Sequence, residues 1–244
     1  PVFRRAMDDA FAAFDPLLAR PLREVMWAAA GTADAALLHE TSYTQPALFT
    51  LEWALAALWQ SWGVRPELLA GHSLGELTAA CVADVFDLGE AARLVATRGK
   101  LMQALPAGGA MVAVAAAEAE LVEAIEPYRH EVSLAAINSP QSVVLSGEAA
   151  TVLEIAGGLS NRGVRIKLLQ VSHAFHSQLM QPMLAEFQQI AESINYRPPR
   201  IPLVSNISGA LDSGAMTTAA YWVEHVRAAV RFADGVRALQ ALGV

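Results

Sequence analysis

The run Glu67-Leu68-Leu69-Ala70-Gly71-His72-Ser73-Leu74-Gly75-Glu76 has the order of a short apolar strand, a tight turn and the start of a helix. Glycines on both sides of Ser73 permit a strained turn that would lift the serine Oγ above the edge of a sheet. Because a helical pattern begins at Leu74, the N–H of that residue would point where a negatively charged oxygen forms during acyl chemistry. Ser73 is therefore a candidate nucleophile.

The composition indicates a globular chain with a large core. Of 244 residues, 54% are apolar and 17% are charged, which suits one large domain or two unequal ones. The formal net charge is −7 and no basic stripe with interleaved aromatic residues occurs, so nucleic acid is not an expected partner. No apolar run approaches the roughly 18 residues that a membrane span needs, and no signal peptide core follows Pro1. The expectation is a cytoplasmic protein that does not bind membranes.

Apolar residues spaced by three and four predict amphipathic helices around the serine turn. The predicted helices are Gln45–Trp62, Leu74–Val85, Leu88–Leu105, Met180–Ile194, Thr218–Val226 and Phe232–Leu242. A further strand is predicted over Ile201–Ser205. This alternation of strands and helices favours a parallel sheet covered on both faces.

The pattern changes between residues 108 and 170. Its segments run in the order strand, helix, strand, strand, helix, strand: Ala110–Ala115, Glu118–Glu126, Val132–Ala136, Ser142–Ser146, Ala149–Arg162 and Val164–Gln170. This βαββαβ order is typical of a ferredoxin-like module. We therefore predict an α/β chain in which residues 1–107 and 171–244 form a large subdomain and residues 108–170 form a small ferredoxin-like one.

A serine nucleophile needs a base, and histidine has the suitable pKa. Among six histidines, His173 and His176 share the segment Ser172-His173-Ala174-Phe175-His176-Ser177, which follows a predicted strand. We select His176 as the base of Ser73, although only the fold could bring residues so far apart in sequence together. The two histidines lack the helical spacing of a catalytic metal pair and no cysteine cluster is present, so no metal is expected.

The resemblance of this sequence to a known family rests on five motifs taken together: Gly71-His72-Ser73-Leu74-Gly75-Glu76, Tyr43-Thr44-Gln45-Pro46-Ala47, Thr97-Arg98-Gly99, His173-Ala174-Phe175-His176-Ser177 and Tyr221-Trp222-Val223-Glu224-His225-Val226-Arg227. In combination they resemble the acyltransferase domain of modular type I polyketide synthases, which is related to bacterial malonyl-CoA:acyl carrier protein transacylases. The resemblance covers essentially the whole chain. It implies an α/β-hydrolase-like large subdomain with a parallel sheet that carries the ferredoxin-like one, with the active site in the cleft between them.

The resemblance also implies the catalytic roles. Ser73 would take the acyl group from coenzyme A, and His176 would activate it as the second member of a Ser-His dyad. No acidic third member matches; a backbone carbonyl would orient the histidine instead, with His225 as the expected source and the Asn206 neighbourhood as a weaker candidate. An acceptor on Nδ1 makes physical sense because it fixes the tautomer that leaves Nε2 ready for the serine proton. The N–H of Leu74 would bind the oxyanion.

A second group of residues would choose the substrate. Arg98 would hold the far carboxylate of a dicarboxylic acyl group, which a guanidinium can do bidentately. The resemblance places Gln45 in the same pocket, and His72 and His173 are assigned to it as well. Phe175 stands where methylmalonyl-selective members have serine, and it would fill the space of an α-methyl group, so malonyl is the expected acyl group.

The implied reaction is ping-pong. The substrate would be malonyl-CoA, the acceptor would be the phosphopantetheine thiol of an acyl carrier protein, and no cofactor would be bound. Further partners would be adjacent ketosynthase and linker regions of the same polypeptide. Two alternatives remain: a serine acyl hydrolase of the editing or thioesterase type, and a non-catalytic structural or docking fragment of a synthase.

The sequence departs from the family pattern at its ends. Members normally begin with a strand and a Gly-Gln-Gly-Ser-Gln turn that supplies a second oxyanion donor, and they close with a strand and a Gly-Pro turn. Neither is present in residues 1–244. Loss of one oxyanion donor typically costs about 10²–10³ in rate, and loss of core strands would expose sheet edges. We therefore expect a fragment of a larger polypeptide that is unstable or nearly inactive when expressed alone.

Overall fold

The computed structural model of the chain describes residues 1–244 and divides into two compact units. The first unit comprises Pro1–Ala104, Glu186–Leu203 and Asp212–Ala219. The second comprises Leu105–Ala185, Val204–Leu211 and Ala220–Val244. None of the helices combines the length and the apolarity that crossing a membrane requires.

Eleven α-helices and six strands make up the regular structure. The helices are α1 (Val2–Phe14), α2 (Leu22–Met26), α3 (Ala33–Ala36), α4 (Thr41–Ser61), α5 (Leu74–Val82), α6 (Leu88–Gln103), α7 (Glu118–Ile125), α8 (Ala149–Asn161), α9 (Leu184–Glu192), α10 (Ala219–Arg227) and α11 (Phe232–Ala241). The strands are β1 (Leu69–Ala70), β2 (Gly109–Val114), β3 (Val132–Ser139), β4 (Ser142–Glu148), β5 (Ile166–Leu168) and β6 (Leu203–Val204).

The first unit is built on the packing of α1, α4 and α6. Phe14 of α1 meets Phe49 of α4 edge to face, with ring centroids 5.6 Å apart, and both side chains are fully buried. Helix α6 begins with a capping box, because the Asp87 carboxylate accepts the N–H of Glu90 at 3.0 Å. Helix α5 packs against β1, which pairs with β6 in the parallel sheet; the Leu69 N–H donates to the Pro202 carbonyl at 2.9 Å.

Helix α4 starts at Thr41, one turn before the predicted start at Gln45. The Thr41 backbone N–H donates to the Gln103 side-chain oxygen of α6 at 2.8 Å, so a distant residue satisfies a donor that opens the helix. Pro46 consequently lies inside the helix, whereas the sequence pattern predicted it in the first turn. The prediction was wrong by one turn because the capping group comes from another helix.

The second unit contains the predicted βαββαβ module. Its antiparallel sheet has the strand order β3-β4-β2-β5, which confirms the ferredoxin-like topology. Helices α7 and α8 cover one face through a core of Val112, Val114, Leu121, Ile125, Val132, Val143, Leu145, Val152 and Leu159. The other face buries Met111, Ala135, Ala136, Val144 and Val230. The alternation of residues 110–114 between these two cores is the period of a strand with both faces covered.

Residues 220–244 cluster with the second unit, whereas the predicted division assigned them to the large subdomain. The reason is local pairing: Val230 bridges Ala136 of β3 in parallel, and α11 packs against the same strand. Other differences concern bounds. Strands β5 and β6 are shorter than predicted, a 3₁₀ turn over Gln178–Met183 precedes α9, and α1 and α2 were not predicted.

Candidate active site

Ser73 lies in the turn between β1 and α5, as the motif predicts. Its backbone has φ 52° and ψ −111°, a combination that residues other than glycine rarely adopt. Strain of this kind persists only where the surroundings enforce it, and it occurs frequently at active sites. The strand, strained serine and helix are the geometry of a nucleophile elbow.

The two glycines that flank Ser73 play different parts. A Cβ on Gly71 would lie 2.1 Å from the carbonyl carbon of Gly75 and 2.2 Å from the nitrogen of Glu76, so the turn can close only over a glycine at position 71. A Cβ on Gly75 would meet nothing closer than the Glu52 carboxylate oxygen, at 3.9 Å. Only the first glycine is therefore required by close approach of the backbone.

Leu74 and His72 border the nucleophile. Leu74 is the first residue of α5, so its N–H belongs to the turn that has no carbonyl acceptor inside the helix and that carries the positive end of the helix dipole. This is the place where an oxyanion donor is useful. The side chain of His72 is exposed.

Arg98 is the only lysine or arginine of the chain that is buried. The residue is only 3% exposed, its Nη2 donates to Ser73 Oγ at 3.2 Å, and its Nη1 donates to Gln45 Oε1 at 2.5 Å. Neither partner is a carboxylate, and the Nε atom is buried without a hydrogen-bond partner. Burial lowers the pKa of this guanidinium to about 10. A buried cation with no anion is costly, so the arrangement is suited to receiving one.

Gln45 links Arg98 to the start of α4. Its side chain is buried, and its Nε2 donates to Thr41 Oγ1 at 2.7 Å and approaches Met102 Sδ at 3.3 Å. The sequence motifs pointed to Gln45 but not to Thr41 or Met102. Their spacing from Gln45 and Arg98, four residues along each helix, was the available signal.

His176 lies in residues 169–177, which contain neither helix nor strand. It is buried and has φ 55°. Its Nδ1 lies 2.8 Å from the carbonyl oxygen of Ala228. Because a carbonyl can only accept, Nδ1 must carry the hydrogen, and Nε2 of the neutral ring then carries the lone pair that a base requires.

The carbonyl on Nδ1 comes from a different residue than expected. The sequence predicted His225, or the neighbourhood of Asn206, as its source; in the structure it is Ala228, three residues after His225. The motif ends near the end of α10, and the chain leaves the helix there, which exposes the Ala228 carbonyl to His176. His225 packs its ring against that of His176, with centroids 6.1 Å apart, while the Asn206 carbonyl accepts the Arg231 N–H.

The segment that carries His176 is tied down at several points. The His173 Nε2 meets the Leu105 carbonyl at 3.1 Å, so His173 holds this segment against the backbone of residue 105 in the same unit. The Phe175 carbonyl accepts the Ser146 hydroxyl of β4 at 2.6 Å, and its half-buried ring packs on the sheet face around Val144. A Cβ on Gly109 would lie 2.5 Å from the Ala174 Cβ, so β2 and the segment approach closely.

No group of three or more His, Cys, Asp or Glu side chains is arranged to hold a metal ion.

The first unit brings Ser73, Leu74, Arg98 and Gln45 together. The second contains His173, Phe175, His176, Asn206 and His225. Each unit holds one set of the predicted site residues.

Residues 1–243 match the family described as acyl transferase domain. The chain belongs to this family. The acyltransferase domain is 54% identical over 246 residues to the phenolphthiocerol synthesis polyketide synthase type I Pks15/1 of Mycobacterium marinum, and 51% identical over 245 residues to the spectinabilin polyketide synthase system protein NorB of Streptomyces orinoci. Both matches cover the whole domain but only 11% of each relative's length.

Solved structures share the fold. The acyltransferase domain from the second module of the salinomycin polyketide synthase is 51% identical, with a TM-score of 0.94 over the whole of the present domain and 56% of that chain. A malonyl-CoA:acyl carrier protein transacylase of Xanthomonas oryzae pv. oryzae is 33% identical, with a TM-score of 0.87 over 98% of the domain and 77% of that chain. The predicted α/β architecture with two subdomains is therefore confirmed.

Proposed function

We propose that the domain transfers a malonyl group from coenzyme A to the phosphopantetheine thiol of an acyl carrier protein during polyketide synthesis. The observation that supports it most strongly is the buried Arg98 guanidinium, which reaches Ser73 Oγ at 3.2 Å and has no carboxylate partner. An acyl group bound to Ser73 with a carboxylate at its far end would supply the missing anion. An acetyl group would leave the charge unpaired.

The proposal pairs Ser73 with His176. The serine Oγ attacks the thioester carbonyl carbon while His176 Nε2 takes the hydroxyl proton, and the Leu74 N–H binds the oxyanion. The tetrahedral intermediate collapses by breaking the C–S bond, and the proton passes from His176 to the departing coenzyme A thiolate. The carrier protein thiol then attacks the seryl ester through the same steps, with His176 accepting the thiol proton and returning a proton to Ser73.

The acyl specificity is proposed to rest on Phe175. Its half-buried ring would occupy the space that an α-methyl substituent needs, and one methyl group is worth about 1–3 kcal/mol of discrimination in a pocket. His72 and His173 have weaker support as substrate contacts. His173 is held by the Leu105 carbonyl, so its support is for shaping the segment rather than for touching the acyl group.

The proposed setting is a multidomain synthase in the cytoplasm. The relatives are polyketide synthases many times longer than this domain, and a structural neighbour is named as acting on an acyl carrier protein. We therefore propose an acyl carrier protein and adjacent ketosynthase and linker regions as partners. Malonyl-CoA is the substrate in this scheme, and no resident cofactor is required.

The test is intact-mass measurement of the natural polypeptide after mixing with malonyl-, methylmalonyl- or acetyl-CoA. We expect a malonyl adduct to dominate, and Arg98→Ala to abolish the preference over acetyl. Arg93→Ala is the matched control, because Arg93 lies on the same helix and is exposed. Equal acylation by acetyl- and malonyl-CoA in the wild type would contradict the proposal. Rapid loss of the adduct to water with carrier protein present would favour a hydrolase, and no acylation at all would favour an inert domain.

A further inference from the structure

The orientation of the Gln45 amide carries information about the specificity of the site. Its Oε1 faces the Arg98 guanidinium at 2.5 Å, and its Nε2 faces Thr41 Oγ1 at 2.7 Å and Met102 Sδ at 3.3 Å. A guanidinium offers only donors, so a flipped amide would set its NH₂ group against the N–H groups of Arg98. The guanidinium therefore sets the orientation of the amide, and the groups on its other side stabilise that orientation by accepting from its NH₂.

Thr41 is the stronger of the two acceptors. A hydroxyl oxygen accepts a hydrogen bond well, whereas a thioether sulfur is a weak acceptor. Both Thr41 and Gln45 are buried, so no bulk water is at hand to replace a lost bond.

The position of Thr41 is itself fixed by α6. Its backbone N–H donates to the Gln103 side chain at 2.8 Å. A Cβ on Gly99, the residue after Arg98, would lie 2.9 Å from the Thr41 carbonyl oxygen, so the two helices touch through backbone at this point. The hydroxyl of Thr41 is thus held at a constant place relative to the helix that carries Arg98.

We propose that Thr41 is a positioning residue for the carboxylate-binding Arg98 and acts through Gln45. The Thr41 hydroxyl fixes the amide, the amide fixes Nη1, and the remaining guanidinium N–H groups stay directed at the acyl site beside Ser73. This inference rests on the proposed malonyl transfer, and it assigns to Thr41 a share in the choice of dicarboxylic over monocarboxylic acyl groups.

The test compares Thr41→Val with Thr41→Ser in the natural polypeptide. Valine has nearly the shape of threonine but no hydroxyl, whereas serine keeps the hydroxyl. We expect Thr41→Val to raise KM for malonyl-CoA about 5- to 50-fold, the size of effect that follows from losing one buried hydrogen bond near a charge. The kinetic parameters for acetyl-CoA should stay within about twofold, and Thr41→Ser should restore most of the malonyl preference.

A matched control exists on the same helix. Thr50 is fully buried in α4, and its hydroxyl has no hydrogen-bond partner. Thr50→Val is therefore the same chemical change without a lost bond, and it should leave both the malonyl preference and the folded fraction intact. If Thr41→Val does not fold, Thr41→Ala carries the same prediction, with circular dichroism used to correct for the folded fraction.

Two failures are distinguishable. If Arg98→Ala removes the malonyl preference but Thr41→Val and Thr41→Ala leave it unchanged, or lower kcat equally for both thioesters, the positioning role is wrong. If the wild type shows no malonyl preference, or Arg98→Ala keeps it, the proposed function itself fails.

Discussion

Ser73 immediately precedes helix α5 and Arg98 lies within helix α6, whereas His176 lies in a stretch of nine residues, 169–177, without helix or strand. In the first set, the site residues of the first unit, side chains are held by other side chains: Arg98 contacts Ser73 and Gln45, and Gln45 contacts Thr41. The second set depends on main-chain carbonyls, because His176 is held by the carbonyl of Ala228 and His173 by that of Leu105. The residues proposed to bind the carboxylate of the acyl group are thus held by side chains, and the proposed base is held by main-chain carbonyls whose positions depend on the path of the chain.

The largest expected effect concerns His176, the proposed base. His176→Ala should lower the rate of acyl transfer by at least about 10³-fold, because a serine hydroxyl is a weak nucleophile without a positioned acceptor for its proton. The measurement is single-turnover acylation with malonyl-CoA. His130→Ala, at an exposed histidine of the same unit, should change the rate less than twofold. A His176→Ala variant with nearly full activity would remove the second set from the site.

The next effect separates the two glycines of the serine turn. Gly71→Ala should reduce acylation by about 10²-fold or prevent folding, because its Cβ would lie 2.1 Å from backbone. Gly75→Ala has space for its Cβ, and it should change the free energy of unfolding by about 1 kcal/mol or less, with alanine favoured in the helix. Urea denaturation and acylation rates check both, and equal damage from the two changes would contradict the geometry.

Side chains and backbone groups of the site differ in how far the sequence could identify them. Four site residues lie in recognisable motifs because their proposed roles depend on the identity of the side chain: Ser73, Arg98, Gln45 and His176. The Ala228 carbonyl could not be identified, because every residue has a carbonyl and only the path of the chain selects one. The early start of α4 escaped for a similar reason, as its cap comes from Gln103, 62 residues away. Helix α1 was a different kind of omission, because its buried residues Met7, Ala10, Phe11 and Phe14 have helical spacing in the sequence.

A smaller effect is expected from crowding residues 173–177, the segment that carries His176. Gly109→Ala places a Cβ 2.5 Å from that of Ala174 and should displace the segment, lowering kcat about 10-fold while leaving the ratio of malonyl to acetyl transfer unchanged. Gly158→Ala is the control: the exposed position in α8 has nothing within 4 Å, and alanine should stabilise the helix by up to about 1 kcal/mol. A shift in the ratio of malonyl to acetyl transfer in Gly109→Ala would contradict the division between the two sets.

The smallest expected effect is on stability. Arg98→Met removes a buried charge without a counterion, so the variant should melt at a higher temperature near pH 8 even though it loses malonyl preference. Burial lowers the pKa of Arg98 in the fold to about 10. The unfolded chain therefore binds the Arg98 proton more tightly than the folded chain does. As the pH rises above about 10, the folded protein loses this proton first, so the free energy of unfolding of the wild type rises. The stability advantage of Arg98→Met should shrink in that pH range. Arg93→Met should show no such trend; a less stable Arg98→Met at pH 8 would count against a buried unpaired cation.

The account depends most on where the acyl group is attached and where it goes. The direct measurement is peptide mapping by mass spectrometry after the natural polypeptide reacts with malonyl-CoA, followed by addition of a phosphopantetheinylated acyl carrier protein. We predict a malonyl mass on the peptide that contains Ser73, its absence in Ser73→Ala, and its transfer to the carrier thiol. A malonyl group found on another residue, or one that persists in Ser73→Ala, would contradict the account.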